Sequence, residues 1–551
     1  VECWVSKASA KQRRGRAGRV RPGIAYHMYS SHTHDLELQN YQLPEMLRVG
    51  IEDLVLQILI LDLGEPTSFL SKALNPPSNL AMSNSLNILE TLGAIECNWD
   101  DDHKINNSKR AVFGDAATEK MKNADEDGKQ PGNKNADAAE SPSTSCGDMT
   151  VSSELTALGF HLATLPTDPR IGKMMIYASM FGCVEPILTI AAAMSSPKSP
   201  FVSPMDQRDQ ADAARQNFAA DSSDHITALT AFNEWRNKRK QKMPRAALTA
   251  WCKDNFLSGL TLYQMEEMRQ QYARLLVEIG FLSKDYRLDS LSGGKYQQTL
   301  YETNQRRAEN ANSDNLALIK AVVCAGLYPN ICVVPRPLVG GQTSSSNAGN
   351  QKSSSSSSRG KNGGGTMGEN ALESPKGPVY LHPSTVSFKS SAVDSRYACF
   401  HQLMRTTKTY VRDFTTVSPL ALVVFGGSSS SGSNNTSNSS LAKKKSTMGL
   451  RINQLKGVCS IDNRYFFRLD AKPATCIKHL RAQMERVLLQ KIISPHDDDD
   501  NETTKRNASR TQTNKRSLVA LISLLFEREL EAQQAQREEA QRQAESDGNI
   551  V

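Results

Sequence analysis

The chain has 551 residues, 38% hydrophobic and 23% charged, with a formal net charge of +8, a balance that permits a nucleic-acid partner without requiring one. At roughly 150 residues per domain this length holds three or four domains, and low-complexity stretches lower that to about three folded units. Its ten cysteines include no CxxC pair, which argues against a zinc site or a disulfide framework, and no run of about eighteen apolar residues suggests a membrane span.

The first informative stretch is Gln12-Arg13-Arg14-Gly15-Arg16-Ala17-Gly18-Arg19, with four arginines and a glutamine in eight residues. Gln12, Arg16 and Arg19 are spaced to share one face of a helix or helical turn. Arginine forks on one face suit a polyanion such as a nucleotide triphosphate and can stabilise a transferring phosphoryl group. A basic turn or a nuclear-import patch is the plainer reading of the same residues. Gly23 to Tyr29 reads as a strand. His32 and His34 follow without a further ligand nearby, so no metal site is read there.

Residues 43–96 read as a small helical module. Pro44 opens a helix carrying Leu47, Ile51, Leu54 and Ile58, which Gly64 and Pro66 stop, and Leu80 to Leu92 is a second, ended by Gly93. Residues 100–150 hold too few apolar side chains to fold and read as a disordered insertion. Residues 153–282 read as a helical bundle. Leu155, Leu158, Leu162 and Leu165 share a face, Asp168-Pro169 starts the next helix, and an almost wholly apolar helix follows Pro186. Asp224 reads as a helix cap. Thr261 to Gln264 reads as the capping box of a long helix whose Met265, Met268, Tyr272 and Leu276 line a core stripe.

A polar linker, 286–314, leads to an all-β unit with a helix from Asn315 to Gly326 and strands near Ile331–Val334, Val379–Pro383 and Tyr397–Leu403. Ser/Gly/Asn-rich insertions near 340–375 and 426–447 fall on its loops. In the stretch Arg405 to Phe414, Lys408, Tyr410 and Arg412 point to one side if extended. Cations around an aromatic can hold phosphates and stack a base; an ordinary exposed strand face is the alternative. Tyr380, His382 and Asp413 read as structural polar residues. Residues 496–551 are an acidic linker and a terminal helix, apolar over Leu518 to Phe526, which docks on the fold or on a protein partner.

QRRGRAGR, with WVSKA before it and VRPGIAY after it, resembles motif VI of the DEAH-box/RNA helicase A group of ATP-dependent helicases. LPEMLR…LVLQILILDLG resembles the winged-helix domain of that group, and LTALGFHLATLPTDPRIGKMMIYASMFGC its helicase-associated or ratchet domain. VYLHPSTVSF with RTTKTYVRDFTTVSPLALVVFGG resembles its OB-like fold. The resemblance implies a multidomain α+β chain. Residues 1–31 would be the C-terminal end of a second RecA-like α/β domain, 32–99 a winged helix, 151–285 a helical ratchet bundle and 315–495 an OB-like β-barrel.

It further implies that Gln12 and Arg16 contact the terminal phosphates of ATP with Mg2+, and that Arg19 is the arginine finger, Arg16 and Arg19 being the catalytic pair. Arg405, Lys408, Tyr410 and Arg412 would contact single-stranded or structured RNA, or DNA. The chain carries no GxxxxGK[ST] loop and no DExH sequence, so it reads as the C-terminal piece of such a helicase, inactive alone, in the cytoplasm or nucleus. A non-catalytic RNA-binding protein built from the same accessory domains is the alternative reading.

Overall fold

A computed structural model describes residues 5–18, 20–98, 152–288, 308–335, 366–427, 450–453, 457–493, 495, 517–535 and 539. The insertion expected over 100–150, Arg19, and most of the two serine-rich insertions lie outside the described residues. Two compact units divide the described residues: one runs from Val5 to Glu90 and takes in β-strand residues up to Thr156, the other runs from Ala157 onward and includes Thr91–Ala94.

In the smaller unit, helix α1 (Lys7–Arg14) is capped by Ser6, whose hydroxyl accepts from the Ser9 amide at 3.1 Å. The expected strand over Gly23 to Tyr29 does not form. Ile24, Tyr26 and Met28 stand exposed, and no neighbouring strand among the described residues supplies the ladder hydrogen bonds a strand needs. Pro44 opens only a short 3-10 turn, Glu45–Leu47, and the helix expected there is α2 (Glu52–Ile60), followed by α3 (Pro66–Ser71). Helix α4 (Asn79–Leu92) meets its expected bounds, with Gly93 in the left-handed region at φ +78°. Val55, Leu56, Ile58, Leu70, Leu86 and Leu89 are buried. Strands β1 (Ile95–Asn98) and β2 (Ser152–Leu155) pair antiparallel, a pairing that local patterning did not signal. The Glu65 carboxylate accepts from both the amide and the hydroxyl of Ser153, at 3.1 and 2.9 Å.

The larger unit begins with a bundle: α5 (Ala157–Thr164), α6 (Pro169–Phe181), α7 (Val184–Ser195), α8 (Arg208–Gln216), α9 (Asp224–Lys240), α10 (Arg245–Asp254) and α11 (Gly259–Glu278). Asp168 caps α6, accepting from the Arg170 amide at 2.8 Å, and Gly182 ends it, as expected, at φ +68°. Helix α7 is buried almost all round, as its composition requires. The cap of α11 is Ser258 rather than Thr261, since the Ser258 hydroxyl accepts from the Thr261 amide.

Arg236, Arg269, Glu266 and Glu185 form a charged network inside the bundle. Arg269 Nη1 donates to Glu266 Oε2 at 2.9 Å, Arg236 lies 3.6 Å from the same oxygen and Glu185 4.0 Å from Arg269. The Arg269 guanidinium also faces the Phe232 ring at 5.0 Å.

The linker expected over 286–314 is anchored at both ends: Tyr286 and Leu288 are buried, and Asn310 donates to the Tyr286 hydroxyl at 3.2 Å. Helix α12 (Leu316–Leu327) leads into a closed barrel of order β3 (Ile331–Val333), β4 (Leu372–Ser374), β5 (Gly377–Leu381), β7 (Thr409–Val417) and β6 (Tyr397–Arg405). The insertion placed over 340–375 therefore ends earlier than expected, because Met367 and Leu372 fill the barrel core. Helix α13 (Pro419–Phe425), a sheet of β8 (Leu450–Asn453), β9 (Val458–Ile461) and β10 (Tyr465–Arg468), and helix α14 (Ala471–Ile493) complete the unit. The last helix, α15 (517–535), docks on the fold: Ile522 and Phe526 are buried, and Phe526 stacks on Phe425 with centroids 6.1 Å apart.

Bundle and barrel are joined through the start of α9. Ser223, not Asp224, is the cap, accepting from the Ile226 amide at 3.1 Å. That frees the Asp224 carboxylate to accept from the Val386 and Phe414 amides of the barrel, at 2.8 and 2.9 Å. Ser223 and His225 both meet the Thr415 hydroxyl at 2.7 Å. Burial, reinforced by the negative charge of Asp413, pushes Asp224 up to about 7. A folded-state value above the unfolded one means that its contribution to stability is complete below about pH 4 and is lost as pH rises through about 7. Asp224→Ala is expected to leave two amides unpaired, at about 1–3 kcal/mol each. Urea unfolding followed against pH checks both points: the variant loses stability and also loses this part of the pH dependence.

Candidate nucleic-acid interface

The β6–β7 hairpin presents the cationic stretch. Its ladder pairs Arg405 with Thr409, Met404 with Tyr410 and Gln402 with Arg412. Strand β7 begins at Thr409, so Lys408 lies in the turn rather than on the strand. Its ammonium nonetheless joins the same patch, 4.1 Å over the ring of Tyr380. Tyr380 pairs in parallel with Tyr410, their ring centroids 6.5 Å apart, and His382 meets Tyr410 edge-on at 6.1 Å. Val411 points the other way, into the barrel core. The phase then changes: Phe414 also enters the core, and Asp413 between them sits at φ +55°. The strand alternation that puts Tyr410 and Arg412 on the outer face therefore stops at this left-handed residue.

Tyr380 and His382, expected as structural polar residues, thus belong to the patch. Their alternation in Val379-Tyr380-Leu381-His382, with Val379 and Leu381 in the core, was the available signal for an outer-face position. Burial first, then the charges of Arg412 and Arg215, pull the His382 imidazole below its ordinary range, so at neutral pH it is an uncharged ring. Arg215 comes from α8, donates to the Ser384 carbonyl and lies over the Phe201 ring at 4.4 Å. The patch thus combines aromatic faces with cations of which Arg405 and Lys408 are exposed and Arg412 is half-buried.

A groove of about 470 Å³ lies between the bundle and the barrel, lined by Asp168, Arg170, Gln271, Tyr272, His401 and Gln402 among others. Its bundle wall is stiffened by two features. Arg170 grips Asp168 with both arms of its fork, at 2.9 and 2.6 Å, and holds that carboxyl below its usual range against the opposing effect of burial. The Tyr272 hydroxyl donates to Ser195 at 2.8 Å. Gln402 lines the groove and is the ladder partner of Arg412, so the groove edge and the cationic strand adjoin.

At the other expected site, Gln12 is exposed on the last turn of α1. Gly15 caps that helix, and Arg16 lies exposed in the turn that continues it, its amide donating to the Arg13 carbonyl at 3.1 Å. Arg19 is outside the described residues. Among the described residues no cluster of three His, Cys, Asp or Glu side chains could hold a metal ion, and no helix is long and apolar enough to cross a membrane.

Two family models match the chain: a helicase-associated domain (HA2), ratchet-like, over residues 168–228, and an oligonucleotide/oligosaccharide-binding (OB)-fold over residues 319–429. The ATP-dependent DNA/RNA helicase DHX36 of Bos taurus is 33% identical over 92% of this chain and 38% of its own length. The DExH-box ATP-dependent RNA helicase DExH1 of Arabidopsis thaliana is 34% identical over 77% of this chain and 32% of its own length. The chain belongs to the DEAH-box RNA helicase family.

Its matched domains are those of the C-terminal part of a DEAH-box protein, and it spans about two-fifths of the length of these curated relatives or less. Human DHX29, an ATP-dependent RNA helicase, is 29% identical over 90% of this DEAH-box chain and 28% of its own length. The HA2 match begins at Asp168 on the groove wall, and the OB match includes the whole β6–β7 hairpin.

Proposed function

We propose that this chain is the RNA-binding C-terminal portion of an ATP-dependent helicase which, as a whole protein, couples ATP hydrolysis to 3′-to-5′ movement on RNA and its unwinding. In this reading Arg405, Lys408, Tyr410 and Arg412 hold the strand, with Tyr380 and His382 completing the stacking surface. The smaller unit combines the end of a RecA-like domain with a winged helix that acts mainly as a spacer. Gln12 and Arg16 face the terminal phosphates of ATP with Mg2+, and Arg19 is the arginine finger. An exposed guanidinium at Arg16 suits that role; the metal is assigned to none of this chain's residues. The name of the DNA/RNA helicase relative supports DNA as a second substrate class, and a cytoplasmic or nuclear site of action accords with nucleic-acid work.

The observation that carries the reading is the junction of the cationic strand with the groove, where Arg412 pairs with the groove residue Gln402. The test is binding of a single-stranded oligonucleotide by the 551-residue chain across a salt series. Each lost phosphate contact lowers the logarithmic salt slope by about 0.7 for a single strand, so Lys408→Gln with Arg412→Gln is expected to lower it by roughly 1.4. Tyr410→Ala is expected to lose about 1–3 kcal/mol of stacking. Unchanged slope and affinity in these variants would remove the patch from the interface. The chain alone is expected to show no ATP turnover above background, because it carries neither a phosphate-cradling loop nor the DExH carboxylates.

A further inference from the structure

The β6–β7 ladder has one gap. Its pairs run from Tyr397 with Val417 to Phe400 with Phe414 and resume at Gln402 with Arg412, so His401 and Asp413 face each other across the break. Both strands change phase there. Phe400 and Leu403 pack on the barrel core from one strand, Val411 and Phe414 from the other, each pair three residues apart where regular alternation would make it two. Asp413 makes the change in the left-handed region, at φ +55°, and its carboxylate lies 3.6 Å from the His401 ring nitrogen Nδ1.

His401 is buried, and Nδ1 has no hydrogen-bond partner among the described residues. The separation is too long for a hydrogen bond but short enough for an ion pair once the ring is protonated. His401 lines the groove between bundle and barrel, which gives the ring a route to solvent protons. Asp413 follows Arg412 directly, and its side chain is 43% exposed. Burial pushes its carboxyl up, but His401 first, then the charges of His225 and Arg412, hold it below the usual carboxylate range. It is therefore an anion at neutral pH, beside a cation that the proposed reading gives to a phosphate.

The other charges around the pair are fixed, with one exception. Burial pulls His225 of α9 down to about 4 and lowers His382 as well, so both rings are neutral near pH 7. Asp168, at the start of α6, also feels His401 and is held low by Arg170 against burial. Arg215 of α8 is a permanent cation that interacts with Asp413. The exception is Asp224 of α9, pushed up to about 7, chiefly by burial.

We infer that His401 and Asp413 form a proton-operated control on the barrel patch. With the ring neutral, Asp413 competes with phosphate for Arg412. With the ring protonated, Asp413 is paired with His401 and leaves Arg412 to the nucleic acid. Imidazole suits this role because it is the side chain whose charge ordinarily changes between about pH 5 and 8. The inference rests on the proposed nucleic-acid role of the barrel.

The experiment measures affinity of the 551-residue chain for a single strand of about six uridines, across pH at constant ionic strength. Binding is expected to tighten about three- to tenfold from about pH 8 to about pH 6. Asparagine tolerates the left-handed backbone, so Asp413→Asn is expected to fold and to bind tightly throughout, with the pH dependence lost. His401→Gln is expected to bind weakly throughout, with the pH dependence equally lost. Should His401→Gln melt too low to assay, the Asp413→Asn profile decides by itself. A flat wild-type profile overturns the control and keeps the barrel reading. A profile that survives in His401→Gln does the same, and assigns the effect to Asp224. Tighter binding by Asp413→Asn with the wild-type pH dependence intact is charge removal alone, and also overturns the control. Absence of binding by the wild-type chain at every pH overturns the barrel reading and the control together.

Discussion

Arg269→Ala is expected to destabilise the helical bundle by about 3–5 kcal/mol, the usual effect of removing one partner from a buried ion pair. The guanidinium is buried, within 2.9 Å of Glu266 and 4.0 Å of Glu185, and covers the face of Phe232. Burial and the charge of Arg236 pull its pKa down, while Glu266 and Glu185 hold it up. Without it, two carboxylates sit in the bundle with only Arg236 to balance them. The prediction is sharper in the double variant. Replacing a whole buried ion pair with apolar side chains is often close to neutral, so Arg269→Met/Glu266→Leu should be much less damaging than the sum of its single changes. Urea unfolding of the three variants measures the coupling. Small, additive effects would mean that the pair contributes nothing beyond its volume.

These charges also mark where sequence reading stopped. In α11 the apolar stripe of Met265, Tyr272 and Leu276 was legible from its spacing, and all three are buried. Glu266 and Arg269 carry the same residue types as any solvated helix face, and only the packing of three helices around them shows them to be interior. Helices α4 and α6 were legible because glycine, proline and aspartate punctuate them, and each of those signals acts within a single turn. The β1–β2 pairing was not, because its partners are separated by the whole of 99–151, and hydrophobic period says nothing about distant pairing. Helix α14 does carry a local signal, since Leu480, Met484, Leu488 and Ile492 recur every fourth residue and are all buried.

At the candidate interface, Tyr410 and Arg412 were legible by alternation along one strand, while Lys408, expected on that strand, joins the patch from the turn before it. Tyr380, His382 and Gln402 entered through neighbouring strands, and Arg215 through a helix of the bundle. One strand reveals the residues it carries. The surface they build depends on sheet order, which this sequence does not disclose.

Arg19→Ala in the whole protein is expected to lower ATP turnover by roughly 10³–10⁵, the range for an arginine that stabilises a transferring phosphoryl group. Nucleotide affinity should change far less, because such an arginine acts mainly on the transition state. Arg16→Ala is the structural counterpart. Arg16 is exposed, and its side chain has no hydrogen-bond or ion-pair partner among the described residues, so its replacement should leave the melting temperature unchanged while turnover falls. The control lies on the same helix. Arg14 follows Gln12 by two residues, roughly 200° round an α-helix, and with Lys7 and Lys11 it lines a separate groove beside Tyr29 and His34. Arg14→Ala should therefore leave turnover close to normal. Steady-state ATP hydrolysis by the three variants separates two accounts of this arginine-rich turn. A general basic cluster would lose activity in proportion to charge, one step per arginine. A phosphate-facing site would lose it only on the face carrying Gln12 and Arg16, and near-normal turnover in both Arg16→Ala and Arg19→Ala would end that assignment.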